Sequence, residues 1–328
     1  MVPPGSRQTL SKSPRTPSTG FGENTLGEIA QGAPVCLPDL GTVFARRAER
    51  LQALAQGHEL EGFLRMIAAL VAAQDAALRD LPPGSLPGAA EIAKAKLVGR
   101  APLDPLLWQR DMSWRAALAH ILAGIDRTWL PDAAETARLA LQRMGDADLE
   151  ALADRFLKGS VRLQEAASAV FVAAALQVAW TRMAALLDLA DLGDQGSGAE
   201  ADSGTCPACG SPPVAGLIAP GGTKFGHRHL HCSLCATSWR YVRVRCVHCG
   251  STDKISFRNL AGTSFLRAEC CESCQGYSKV FYLESARALE PLADDLGSLG
   301  LDVLVGEEGF ARVPNPFVLG VMGIGEAD

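Results

Sequence analysis

Eight of the ten cysteines occur as four Cys-x-x-Cys pairs between residues 206 and 274. Each pair can direct two thiolates at one ion, and two pairs complete the tetrahedral four-sulfur shell that zinc and iron both accept. The pairs repeat, because Cys206-Pro-Ala-Cys-Gly-Ser recurs 40 residues later as Cys246-Val-His-Cys-Gly-Ser. We therefore predict two metal ions per chain, iron or zinc. The predicted ligands are Cys206, Cys209, Cys232 and Cys235 in the first cluster, and Cys246, Cys249, Cys271 and Cys274 in the second.

The spacing of the clustered cysteines leaves two alternatives open. They could be inert buried thiols, or they could take part in thiol–disulfide redox chemistry. The remaining cysteines do not fit the repeat. Cys36 stands alone, and a ligand at Cys270 in place of Cys271 would break the Cys-x-x-Cys spacing.

Four histidines also lie near the clusters, at His227, His229, His231 and His248. Histidine is a common zinc ligand, but four thiolates already complete each predicted shell. The sequence therefore predicts that these imidazoles form hydrogen bonds around the sites or belong to ordinary strands and loops.

The cysteine-rich region is locally basic within an acidic protein. Residues 206–282 contain nine Lys and Arg against three Asp and Glu, whereas the whole chain has a net charge of −5 and a pI near 5.7. The strand predicted at 239–245 places Tyr241, Arg243 and Arg245 on one side, which suits an anion or a nucleic acid. Charge compensation is the alternative, since four thiolates around a divalent ion leave about −2 per site. The acidic pI and the acidic segment 283–328 argue against a nucleic-acid partner.

Upstream of the clusters the sequence has the pattern of packed helices. Phe63, Ile67 and Leu70 recur at helical spacing, and Pro82-Pro83-Gly84 ends that helix. Similar helices are predicted at 39–56, 89–97, 111–125, 131–144, 147–157 and 160–191. The longest apolar run, 166–181, is shorter than the roughly 20 residues that cross a bilayer, which predicts a buried core helix and no membrane span.

Composition sets the predicted boundaries. Residues 1–35, rich in Ser, Pro, Thr and Gly, predict a disordered tail, and the Gly-rich polar run at 193–205 predicts a linker. The predicted fold class is α+β, with an all-α helical domain at 36–192, tandem rubredoxin-like or zinc-ribbon knuckle units at 206–282, and a C-terminal helical segment with an extended tail at 283–328. No charged region followed by an apolar stretch opens the chain, which predicts a cytoplasmic protein.

Several motifs match one known family. They are Cys-Pro-x-Cys-Gly-Ser-x-Pro-Val at 206–214, Ala-Glu-x-Cys-x-x-Cys-x-x-Tyr-x-Lys at 268–279, Ala-Asp-Asp-Leu-x-Ser-Leu-x-Leu-Asp at 293–302 and Asn-Pro-Phe at 315–317. On these residues the chain resembles the formate dehydrogenase accessory protein FdhE family, from about residue 38 onward and most specifically over 206–317. It departs from the family pattern at Ser278, Gly297 and Phe310, none of which is a predicted ligand.

The resemblance implies a cytoplasmic maturation factor that contacts the catalytic subunit of formate dehydrogenase, with rubredoxin-like iron sites. We therefore expect an assembly chaperone and not an enzyme. An iron-dependent redox protein acting in the same maturation is one alternative, and a nucleic-acid-binding zinc ribbon is another. Asp294, Asp295 and Arg312 match family positions, and for them we expect helix capping or ion pairing between domains.

Overall fold

The computed structural model describes residue 29 and residues 33–82, 85–107, 110–192, 204–219, 226–260, 262–284, 288–313 and 315–318. Up to residue 192 it contains α1 (Val43–Ala55), α2 (Glu61–Asp80), α3 (Ala89–Leu97), α4 (Ser113–Gly124), α5 (Asp132–Arg143), α6 (Asp146–Leu157) and α7 (Ala166–Ala185). These helices overlap the predicted ones. Helix α7 starts later than predicted because a 3₁₀ turn at Leu163–Glu165 precedes it.

Helix α7 is the centre of the helical half, where it packs against α2, α4, α5 and α6. It is apolar on all sides, as expected of a helix enclosed by others. By length and composition Leu163–Ala185 could cross a bilayer, but 61% of its apolar window is buried inside the protein. Its central polar residue is satisfied, since Gln177 accepts from Gln74 at 3.0 Å and donates to the Ser233 carbonyl oxygen at 2.8 Å.

Seven strands of the described chain form one mixed sheet in the order β1-β4-β3-β2-β7-β6-β5. They are β1 (Val35–Cys36), β2 (Pro213–Ala219), β3 (His227–Cys232), β4 (Ser238–Tyr241), β5 (Ile255–Arg258), β6 (Leu266–Cys271) and β7 (Gly276–Tyr282). Neighbouring strands are antiparallel except β2 and β7, which are parallel. The α+β class with tandem units is thereby confirmed.

The strand order shows how the sequence repeat is built into the sheet. The unit β4-β3-β2 is followed by β7-β6-β5, in which β5, β6 and β7 correspond to β2, β3 and β4. Separate units would each leave open strand edges, and the β2–β7 pairing closes one edge of each. Every Cys-x-x-Cys pair precedes one of β2, β4, β5 and β7, which all run in the same direction. The two clusters therefore lie at one end of the sheet, three strand spacings or about 14 Å apart.

The chain enters the sheet before the predicted end of the tail. Val35 and Cys36 pair with Trp239 and Ser238 of β4, and Arg240 N donates to Pro34 O at 2.8 Å. The predicted tail boundary at residue 35 is therefore too late, because the open edge of β4 provides hydrogen-bond partners that the composition of the tail does not reveal. The rest of that tail apart from 29, 33 and 34, and the predicted linker up to residue 203, lie outside the described residues.

The segment after β7 connects the sheet to the helical half. Helices α8 (Pro291–Leu296) and α9 (Leu299–Glu307) follow one another, and α8 packs against both α1 and β2. Arg47 pairs with Glu290 at 2.9 Å, and two nitrogens of Arg50 donate to the Asp294 carboxylate at 2.6 and 3.0 Å. Asp294 thus joins the C-terminal segment to α1. Of the predicted extended tail, residues 314 and 319–328 lie outside the described residues.

Candidate metal centres

The first cysteine cluster, called site 1, brings together the four sulfurs predicted from the sequence. Cys206 and Cys209 lie on the turn before β2, Cys232 is the last residue of β3, and Cys235 lies on the turn between β3 and β4. The Sγ atoms of Cys206 and Cys235 are 3.6 Å apart, those of Cys209 and Cys232 are 3.5 Å apart, and all four lie within 4.8 Å of one another.

The second cluster, site 2, has the same arrangement with Cys246, Cys249, Cys271 and Cys274. The Cys246–Cys274 and Cys249–Cys271 sulfur distances are 3.6 and 3.7 Å. A tetrahedral ion with metal–sulfur bonds of about 2.3 Å needs sulfurs about 3.8 Å apart. The donor sets of both sites therefore fit a tetrahedral thiolate-bound ion such as zinc or iron.

The four cysteine turns share one backbone feature that holds the sulfurs in place. The residue after the second cysteine of each pair has a positive φ, with values of 74° at Gly210, 59° at Ala236, 73° at Gly250 and 57° at Gln275. Glycine adopts this conformation freely, whereas alanine and glutamine pay a steric cost of about 1 kcal/mol. The sequence shows the two glycines, but Ala236 and Gln275 carry no signal of the turn they adopt.

Backbone amides also face the sulfurs. The amides of Leu234 and Cys235 each donate to the Cys232 Sγ at 3.4 Å. Burial raises the pKa of the Cys206 and Cys232 thiols well above its usual value near 9. Because burial opposes the anionic form, a bound cation is what would stabilise thiolates here.

The two sites differ in their surroundings. Site 1 is covered by the helical half, since Leu103 N donates to the Ala208 carbonyl oxygen at 2.9 Å and Gln177 to that of Ser233 at 2.8 Å. All four of its cysteines are buried, whereas in site 2 Cys249 and Cys274 are exposed. Nothing in the spacing of the cysteines indicates this difference.

Each cluster in the described part of the chain consists of cysteines alone, and three of the nearby histidines lie within hydrogen-bond distance of other groups. His229 Nε2 lies 2.7 Å from Ala33 O, His231 Nδ1 lies 2.8 Å from Ser238 Oγ, and His248 Nε2 lies 3.0 Å from Tyr277 O. These imidazoles fix the strands around the sites.

Burial gives His229 a predicted effect on acid stability. Loss of solvation lowers the pKa of this histidine from 6.5 to about 4, so it stays neutral in the folded chain while the unfolded chain takes up a proton below pH 6.5. Its contribution to stability is therefore present above pH 6.5 and is lost as the pH falls toward 4. Urea unfolding of wild type and His229→Gln at pH 7 and pH 5 should show a loss that is about 2 kcal/mol smaller in the variant. Equal losses of unfolding free energy in wild type and variant would contradict a lowered pKa for His229.

Several polar and basic side chains near the clusters, including two of the arginines, form hydrogen bonds or ion pairs within the protein. Strand β4 ends at Tyr241, so the strand predicted through residue 245 is too long. Tyr241 is buried and donates to Cys246 O at 3.1 Å, Arg245 donates to Gly250 O at 3.0 Å, and the buried Arg228 pairs with Glu269 at 2.9 Å. Because these side chains bond within the protein, the arrangement argues against a nucleic-acid surface formed by them.

A buried ion cluster lies beside site 2. Ion pairing was an expectation for Asp295 and Arg312, but the sequence did not indicate that they pair with each other or with Lys279 and Asp302. Lys279 of β7 and Arg312 both pair with Asp295 and Asp302, at Arg312 distances of 2.9 and 2.7 Å, and Tyr277 donates to Asp302 at 2.6 Å. None of the four charged side chains is more than 4% exposed. The only signal was that these residues match the resembled family; their pairing across 33 positions of chain was not deducible from pattern.

An apolar cleft of about 760 Å³ opens next to this cluster, between α6, the turns of site 1 and the C-terminal segment. Leu157, Leu234, Val303 and Val313 contribute to its walls, and Arg312 lies at its polar side. Val303 and Val313 are 56% and 44% exposed. A cleft of this size and polarity is typical of a ligand-binding site.

Comparison with known families matches nearly all of the described chain to the three domains of one family. The family model for "FdhE, N-terminal" matches residues 33–197, "FdhE, central domain" matches 205–243, and "FdhE, C-terminal domain" matches 244–318. The central match contains site 1 and the C-terminal match contains site 2.

Individual relatives agree. A protein FdhE homolog from Pseudomonas aeruginosa is 43% identical over 282 residues, covering 82% of this chain and 87% of its own length. One from Proteus mirabilis is 35% identical, covering 85% of this chain and 89% of its own. The crystal structure of the FdhE protein from Pseudomonas aeruginosa superposes with a TM-score of 0.77 at 38% identity, over 88% of this chain and 99% of that one.

Proposed function

The chain belongs to the FdhE family, and we propose that it is a cytoplasmic accessory factor that binds the catalytic subunit of formate dehydrogenase during its maturation. The observation that carries the proposal is the match of three FdhE family models, which together span residues 33–318 except for residues 198–204. On this proposal the protein acts by binding and not as an enzyme, as the family resemblance of its motifs implies.

Two ions, iron or zinc, belong to this function, one held by each four-cysteine site. Bound there, an ion supplies the cross-link between two turns of the sheet and the positive charge that stabilises the thiolates. At site 1 the cross-linked turns are also those that contact the helical half through Ala208 and Ser233. Site 1 then holds the helical half and the sheet in a fixed relative position for partner binding.

We propose that the catalytic subunit docks on the apolar cleft. The cleft is formed by all three parts of the chain, and its rim exposes Val303 and Val313. Exposed apolar side chains around a concave surface are typical of protein interaction sites. The C-terminal residues that shape the cleft are anchored by the buried ion cluster, which fixes its form.

Val313→Asp should weaken this complex at least about tenfold, because burying an unpaired carboxylate in an apolar interface is costly. Affinity for the purified catalytic subunit is measured by calorimetry or biolayer interferometry with the full-length chain. Leu97→Asp is the matched control, since Leu97 is 87% exposed on α3 and does not line the cleft. Equal affinities for wild type and Val313→Asp would overturn the cleft as docking surface, and no binding by wild type would overturn the proposed function.

A redox role in the same maturation is the second candidate. The exposure of Cys249 and Cys274 favours it, because solvent-accessible ligands bring an iron centre within reach of an electron donor or acceptor. It requires iron at site 2 and a visible absorbance that bleaches reversibly with dithionite. A colourless zinc-bound protein with full accessory activity would exclude it.

A further inference from the structure

Sites 1 and 2 have the same ligands and the same sulfur geometry but opposite exposure. The cysteines of site 1 are at most 1% exposed. In site 2 Cys246 and Cys271 are buried, at 4% and 1%, whereas Cys249 and Cys274, one from each turn, are exposed. One edge of the site 2 tetrahedron therefore faces solvent.

The residues between the paired cysteines show the same contrast. In site 1 they include Ala208, which is fully buried and bonded to Leu103, and Leu234, which is 4% exposed. The corresponding residues of site 2, His248, Glu272 and Ser273, are exposed. An incoming ligand can approach the exposed Cys249 and Cys274 of site 2 directly, whereas the four cysteines of site 1 are at most 1% exposed.

The fold around site 2 is held by contacts other than its sulfurs. Strands β6 and β7 pair along Leu266–Cys271, Gly276 bridges to Ala311, and the buried ion cluster anchors Lys279 of β7. His248 packs against Gly276, where an added Cβ would lie 2.8 Å from the imidazole Cδ2. The turns of site 2 thus have support that does not depend on the ligands Cys249 and Cys274.

We propose that site 2 is a metal-exchange site, at which Cys249 and Cys274 trade a thiophilic divalent ion with an external thiolate, while site 1 retains its ion and holds the fold. The proposal rests on metal binding at both sites as part of the proposed function. In the exchange, the bonds from the ion to the exposed Cys249 and Cys274 are replaced first by bonds to incoming thiolates, and the bonds to Cys246 and Cys271 are then replaced in the same way. The ion keeps its oxidation state, and the released cysteine thiolates take up protons from solvent.

The test uses the full-length chain loaded with two zinc ions and challenged with the chromogenic chelator 4-(2-pyridylazo)resorcinol. One zinc per chain should leave at least about tenfold faster than the other, because only site 1 must wait for local opening. Brief alkylation with iodoacetamide during the fast phase, followed by peptide mass mapping, should label Cys249 and Cys274 before any cysteine of site 1. Helical circular dichroism should stay unchanged through that phase.

Two variants assign the phases. Cys249→Ser should lose the fast phase and keep the slow one, and its counterpart Cys209→Ser should keep the fast phase. Release of both ions in a single phase, or first labelling of Cys206, Cys209, Cys232 or Cys235, would overturn exchange at site 2. A chain that binds no zinc or iron would instead overturn the metal sites of the proposed function, so the two failures are distinguishable.

Discussion

Cys209→Ser is expected to lower the free energy of unfolding by at least about 4 kcal/mol and to reduce bound metal from two ions to one per chain. The physical reason is that a four-thiolate site converts binding energy into folding energy. Cys209 is fully buried, and its neighbour Ala208 bonds to Leu103 of the helical half. Loss of the cross-link at this turn therefore loosens both the sheet and the helices that cover it.

Urea denaturation followed by tryptophan fluorescence measures this effect. Trp180 donates to Leu103 O at 2.9 Å and reports the helical side, while Trp239 lies buried in β4. Cys249→Ser is the matched substitution at site 2 and should lose one ion with a smaller loss of stability, since its turn is exposed. Cys270→Ser removes a buried thiol outside both clusters and should keep two ions. Two ions and wild-type stability in Cys209→Ser would contradict the structural role of site 1.

Arg312→Met is expected to destabilise the protein by about 3–5 kcal/mol, because it leaves buried carboxylates without one of their two cations. Asp295 and Asp302 are fully buried, and Lys279 would remain as their sole cationic partner in the cluster. Burial opposes the charge of Asp295, yet the Arg312 and Lys279 cations hold the pKa of its carboxyl below the usual value. Removal of Arg312 takes away the larger of the two cationic contributions to the lowered pKa of Asp295.

The measurement is the urea midpoint of Arg312→Met against Arg258→Met. Arg258 pairs with Glu308 at 2.7 Å on the surface, where side chains are 34% and 46% exposed, and solvent screens such a pair. The surface variant should unfold close to wild type. A similar midpoint for Arg312→Met and Arg258→Met would show that the buried cluster does not anchor the C-terminal segment.

The helices and the candidate metal ligands could be predicted from the sequence, because both depend on the spacing of nearby residues. Helices α1 to α6 follow from apolar residues at a 3.6-residue period, and α7 follows from the longest apolar run. The ligand candidates follow from the Cys-x-x-Cys spacing, because a turn of four residues places its two thiolates together wherever it occurs. The repeat from Cys206 to Cys246 likewise predicted two units of one kind. The family resemblance came from these same motifs.

The arrangement of these helices and cysteine units in space is visible only in the folded chain. The β2–β7 pairing joins the two units into one sheet, and Val35 completes its far edge, because strand edges find partners by position in space and not by sequence pattern. The buried ion cluster joins Lys279 and Arg312 to Asp295 and Asp302. In the sequence these charged residues resemble ordinary surface residues, and only the folded chain shows that they are buried and paired. The exposure that separates Cys249 from Cys209 has the same origin. Identical cysteine turns acquire different chemistry because the helical half covers one site and leaves the other open to solvent.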